Sequence, residues 1–129
     1  MSRRPQIAVK RVYEPPTPED GRRVLVDRVW PRGLRRADAR IDRWAKELAP
    51  STGLRRWFGH RPERFAEFRE RYRDELGGRD DELDELLAEA PLTLLYAARD
   101  ERHNNARVLA ELVEERRKAR ARPGRRGPR

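Results

Sequence analysis

The sequence predicts an α/β fold: a small open sheet of at least two to three strands, helices packed on it, and a long helical crossover before the last strand. Three observations carry this expectation. Two stretches rich in β-branched residues lie near the N-terminus, three amphipathic helical patterns follow one another, and a short apolar run then returns ahead of a final helical pattern. Parallel strands need such a crossover. A winged-helix DNA reader would place its helices first and a hairpin after the recognition helix, and this order disfavours it.

The elements follow in chain order. Residues 6–13, Gln-Ile-Ala-Val-Lys-Arg-Val-Tyr, alternate apolar and polar side chains with the period of a half-buried strand. Pro15, Pro16, Pro18 and Gly21 then deny the backbone the donors and dihedral range of a ladder, so a loop follows. The run from Arg23 to Trp30 opens with three consecutive apolar residues and stops at Pro31, which suits a strand covered on both faces. Residues 31–50 are mixed: Ile41, Trp44 and Leu48 keep helical spacing, but Pro31, Gly33 and Pro50 interrupt it. Ser51 or Thr52 can cap a short helix that carries Leu54, Trp57 and Phe58 and ends at Gly59. Pro62 suits the first turn of a longer helix, with Phe65, Phe68, Tyr72 and Leu76 on one face before Gly77-Gly78. Leu83, Leu86, Leu87 and Ala90 define another helix from about Asp80 to Glu89, closed by Pro91. Leu92 to Ala98 reads as a buried strand, and Ala106, Leu109, Leu112 and Val113 as a C-terminal helix running to about Lys118. A single globular domain over residues 1–118 and a disordered basic tail over 119–129 follow, because the Pro-Gly-Arg end cannot bury enough apolar surface to offset its ordering entropy.

Composition narrows the chemistry. Of 129 residues none is cysteine, which removes disulfides, thiolate metal sites and a cysteine nucleophile. No apolar run approaches the roughly 20 residues of a membrane span, and Met-Ser-Arg-Arg-Pro lacks the core of a secretory signal, so a cytoplasmic protein without a membrane partner is expected. The net charge of +9 is local: from Arg116 to Arg129 there are 8 basic residues and no acidic ones, which leaves 24 basic against 23 acidic in the body. Such a tail attracts nucleic acid weakly and without sequence preference. Phosphate-loop and dinucleotide-binding patterns are absent from the sequence, and His60 and His103 have no metal-ligand spacing.

The strongest anomaly is Asp27-Arg28, read as two charges inside an apolar strand. Neighbours on a strand face opposite sides, so each needs its own partner if buried. They either anchor the crossover as a structural pair or stand at the strand ends, where open α/β sheets bind ligands. The Trp30-Pro31-Arg32-Gly33 turn can hold the Arg32 guanidinium over that edge, its fork suited to phosphate or carboxylate. Free amides at a helix start near Asn104 would face the same side, or Asp100, Asn104 or Asn105 would simply cap that helix. Lys46, Ser51 and Arg55 form a second candidate set of anion-binding groups, while Asp27, Asp100 and His103 are the candidate proton carriers. His60 suits a local cap or packing role.

Three blocks, Arg23-Val-Leu-Val-Asp-Arg-Val-Trp-Pro-Arg-Gly33, Trp44-Ala-Lys-Glu-Leu-Ala-Pro-Ser51 and Leu92-Thr-Leu-Leu-Tyr-Ala97, resemble the YeaO-like family of small bacterial proteins, a domain of unknown function. The likeness runs from about Ile7 to Val113 and implies no reaction, substrate or cofactor. Members of that family often carry Asn-His-Ala where this chain has Asn104-Asn105-Ala106. Asn105 cannot transfer a proton, and His103, two positions earlier, would point elsewhere on a helix.

Three functions remain in play. The preferred one is a pocket for an anionic small molecule, built from Arg28, Arg32, Lys46, Ser51, Arg55 and Asn104. The alternatives are non-specific nucleic-acid association through Arg116–Arg129 and a structural or scaffolding module. The sequence settles neither catalysis nor oligomeric state.

Overall fold

The structure, a computed structural model, describes residues 6–121. Four parallel strands, β1 (Ile7–Arg11), β2 (Arg22–Leu25), β3 (Arg43–Trp44) and β4 (Leu92–Tyr96), form one sheet in the order β1-β4-β2-β3. Five helices accompany them: α1 (Arg36–Ala39), α2 (Thr52–Phe58), α3 (Phe65–Leu76), α4 (Asp80–Ala88) and α5 (Asn105–Arg120). The α/β class and the helical crossover into β4 are as the sequence predicts. No described helix is long and apolar enough to cross a membrane.

The two faces of the sheet are covered differently. Val24, Val26, Leu92, Leu94 and Tyr96 pack beneath α2 to α5 with Phe58, Phe68, Tyr72, Leu86 and Leu109. Alternate residues on the other face, Leu25 and Leu95 with Val12, meet Trp30, Leu34, Ile41 and Trp44 from the excursion over residues 26–50 that follows β2. That excursion, whose mixed pattern resists assignment, thus forms the second layer. Its only regular pieces are the four-residue α1, the two-residue β3 and a 3₁₀ turn at Lys46–Leu48.

Several boundaries differ from the expectation. β2 stops at Leu25 instead of continuing to Trp30, so Asp27 and Arg28 are not charges inside a strand. The Val26 amide still donates to the Leu95 carbonyl at 3.1 Å, but the next rung is replaced: the Asp27 carboxylate accepts the Ala97 N–H at 2.9 Å. The buried charge that does lie within β2 is Arg23, 3% exposed. β1 is likewise shorter than the alternating pattern, and β4 ends at Tyr96. Pro62 opens a 3₁₀ turn that leads into α3, not α3 itself. At the C-terminus α5 extends to Arg120; residues 122–129, most of the expected disordered tail, lie outside the described residues.

Candidate functional site

All four strands run parallel, so their C-terminal ends share one edge, the usual ligand side of open α/β sheets. A cavity of about 410 Å³ opens there. Three segments build it: residues 27–32 beyond β2, Ala97 and Ala98 beyond β4, and the start of α5 at Asn104 and Asn105. The α2 side supplies Pro50, Arg55, Phe58 and His60, and α3 supplies Phe68.

Local bonds hold each wall. The Trp44 indole N–H donates to the Asp27 carbonyl at 2.7 Å and the Trp30 indole to the Leu34 carbonyl at 2.8 Å, while the two rings meet edge-on at 5.3 Å. Gly33 takes φ +75°, the left-handed backbone the Trp-Pro turn needs, and the Tyr13 hydroxyl donates to the Arg32 carbonyl at 2.8 Å. Arg28 reaches across the cavity wall, donating from Nε to the Pro50 carbonyl at 2.9 Å and from Nη2 to the Ala49 carbonyl at 3.4 Å. Asn104 caps α5: its Oδ1 accepts the Arg107 N–H at 3.0 Å and its Nδ2 donates to the Asp100 carbonyl at 2.9 Å. The Asn105 amide donates to the Val26 carbonyl at 2.9 Å, tying the helix start to the end of β2.

Electrostatics are polarised. Burial pushes the Asp27 carboxyl above its ordinary value, opposed by the Ala97 N–H, the Asn105 amide and the positive fields of Arg55 and His60. Around it Arg28, Arg32 and Arg55 line the cavity without a carboxylate within 4.0 Å among the described residues. Most arginines elsewhere on the fold are ion-paired. Three arginines, one half-buried carboxylate and a helix start without acidic residues in its first turn therefore line a largely apolar hollow.

Of the residues the sequence proposes, Arg28, Arg32, Arg55, Asn104 and Asp27 meet in this cavity. Lys46 does not line it; its ammonium sits over the Trp44 ring, 4.1 Å from the centroid. Ser51 is a helix cap: Oγ accepts the Leu54 N–H at 3.2 Å and donates to Glu75 at 2.6 Å. Asp100 and His103 pair with each other, Nδ1 to Oδ2 at 2.9 Å, and the imidazole lies edge-on to Phe65 at 5.1 Å, outside the cavity lining. The N–H groups of Arg102 and His103 and the imidazole hold the Asp100 carboxyl down at about 2, so it stays ionised and serves the loop. Sequence reasoning misses His60, which lines the cavity at φ +58°. Its only sequence signal is the adjoining Gly59, whose left-handed turn carries the chain round to Pro62.

Comparison with known proteins gives relatives and no reaction. The chain is 45% identical to the uncharacterized protein YeaO of Escherichia coli over 108 residues, 81% of this chain and 94% of that one. Uncharacterized proteins of Mycobacterium tuberculosis and Mycobacterium bovis match at 45% over 115 residues, 88% of this chain and 98% of theirs. No solved structure matches. The model of the family described as the inactive DUF488-N3 subclade matches residues 6–127. With that span matched, and the YeaO likeness across the same body, the chain belongs to the family described as the inactive DUF488-N3 subclade and is a YeaO-like domain of unknown function.

Proposed function

We propose that the cavity binds a small anionic molecule through a phosphate or carboxylate group. The observation that carries this reading is the convergence of Arg28, Arg32 and Arg55, none paired with a carboxylate, on the hollow that also receives the start of α5. Guanidinium forks and helix N-terminal amides favour such groups, and the apolar walls exclude competing water. Binding without turnover suits a family described as inactive, and Asp100 and His103, bonded to each other, leave Asp27 as the one sequence-proposed proton carrier in the lining.

The alternative of non-specific nucleic-acid binding through the tail draws less support. Arg116 and Arg120 are ion-paired with Asp84 and Arg117 with Glu114, so that reading rests on Lys118 and on arginines outside the described residues.

Thermal-shift screening of phosphorylated metabolites, nucleotides and dicarboxylates, followed by calorimetry on any hit, tests the proposal. Arg32→Ala and Arg55→Ala each remove one charge-assisted contact and should weaken binding by about tenfold or more. Lys46→Ala should leave it unchanged. Equal affinity for the wild type and both arginine variants refutes the reading, as does binding that a chain ending at Ala121, past the end of α5, loses.

A further inference from the structure

The polar groups of the cavity are sorted by depth. Arg32, Arg55 and His60 are exposed, as is Val29 at 56%, and they mark the mouth. Inside, Phe58 and Phe68 are 5% and 1% exposed and stack with centroids 4.4 Å apart, beside buried Pro31 and Pro50. Deeper than the mouth, two half-buried charges remain: the Arg28 guanidinium, turned to the Pro50 and Ala49 carbonyls, and the Asp27 carboxylate, fixed on the Ala97 N–H at the end of the central strand. The lining thus has free cations at its exposed rim, apolar walls, and a less exposed carboxylate within.

An ionised carboxylate has room for about four hydrogen bonds. Asp27 accepts the Ala97 N–H at 2.9 Å and has the Asn105 amide beside it, which leaves acceptor capacity toward the cavity. A guest without a donor would cover that acceptor and leave it unpaired, and a second anionic group beside Asp27 would meet its charge directly.

Building on the anion-binding reading, we infer that the guest is a two-ended molecule: an apolar, ring-sized body with an anionic group at one end, met by Arg32 and Arg55, and an O–H or N–H donor at the other, met by Asp27. The hollow of about 410 Å³ lies in the range that encloses such a molecule. Burial raises the Asp27 carboxyl, and a donor from the guest would favour its ionised form, so binding and ionisation reinforce each other.

Probes that differ by one donor test this on the full chain. Phenylacetate is compared with 4-hydroxyphenylacetate, and phenyl phosphate with 4-hydroxyphenyl phosphate, by calorimetry. The hydroxylated member of a pair should bind about tenfold tighter, and Asp27→Ala should abolish that preference while the parent compound binds as before. Asp27→Asn, which keeps an acceptor for the Ala97 N–H, guards against misfolding and should reduce the preference in part. Arg55→Ala should weaken both members of a pair alike. Equal affinities within each pair, or a preference that survives Asp27→Ala, overturn the two-ended guest and leave the anion site standing. If none of the four probes binds while a ligand from the screen above does, the ring-sized two-ended guest falls and the anion site stands; if the screen is silent too, both fall.

Discussion

Replacing Asp20 by asparagine should cost this fold about 3 kcal/mol, because one carboxylate compensates two cations at a place with little water. Its oxygens accept from Lys10 Nζ at 3.0 and 3.1 Å, from Arg23 Nη1 at 2.6 Å, and from the Thr17 N–H and hydroxyl, each at 3.0 Å. The Asp20 and Arg23 side chains are only 7% and 4% exposed. Burial alone would raise this carboxyl, but the Thr17 N–H, Lys10, Arg23 and the Thr17 hydroxyl together hold it at about 2 against an ordinary 3.8. That depression corresponds to about 2 kcal/mol of native stability at neutral pH. Asparagine also leaves the Arg23 guanidinium buried without a counter-charge, held only by the carbonyls of Ala39 and Arg40, which accounts for the larger figure. Below about pH 4 the unfolded chain takes up a proton that the native carboxylate refuses, so acid favours unfolding until the native group also protonates near 2. Urea unfolding of wild type and Asp20→Asn between pH 2 and 7 reads both effects. The gap should be about 3 kcal/mol at pH 7, roughly 10 °C in Tm, and should shrink as pH falls from 4 to 2. A gap under about 1 kcal/mol at pH 7, or one that pH does not change, would refute the reasoning.

Three further outcomes follow from the site. For Asp27 the sign reverses: its carboxyl is raised above 3.8, so wild-type stability should decline as pH climbs from about 4 through the native value, and Asp27→Asn should gain on it across that rise; a variant whose Tm loses ground to the wild type over the same range contradicts the burial argument. Ser51→Ala removes the α2 cap and the Glu75 bond and should cost about 1 kcal/mol in chemical denaturation, with no change in anion affinity. Asn104→Ala strips a cap that is 2% exposed, costing about 2 kcal/mol, and should also weaken anion binding because the start of α5 loses its anchor to the Asp100 carbonyl; calorimetry with preserved affinity would detach that helix from the site.

Much of the architecture was legible in the residues, for identifiable reasons. Helices α2 to α5 announce themselves through helical spacing and end signals: Ser51 and Asn104 act as caps, and Gly59 ends α2. β4, apolar but for Thr93, reads directly as a strand buried on both faces. β3 could not be read, since two residues have no period and Arg43-Trp44 become a strand only by pairing with Val24 and Leu25. β2 was read too long because Val29 and Trp30 continue its apolar pattern; only the structure shows a side-chain carboxylate taking the amide that would have extended the ladder. In the site, Arg28, Arg32, Arg55 and Asn104 were legible from their place beside strand ends and helix starts. Lys46 and Ser51 lie near them in sequence yet serve Trp44 and α2, a distinction set by side-chain direction and not by position. His60 was hidden because a left-handed turn, which its own residue type does not signal, swings it into the lining.

The strand at the heart of the sheet is the last of the four to be synthesised. β1 has β4 as its sole neighbour and β2 depends on it for most of its ladder, so until Leu92–Tyr96 emerges from the ribosome the preceding residues can assemble helices and the short β2–β3 pair but not the full sheet. A nascent chain halted before that point leaves β1 without a strand to dock on, and the sheet closes only when its central strand arrives.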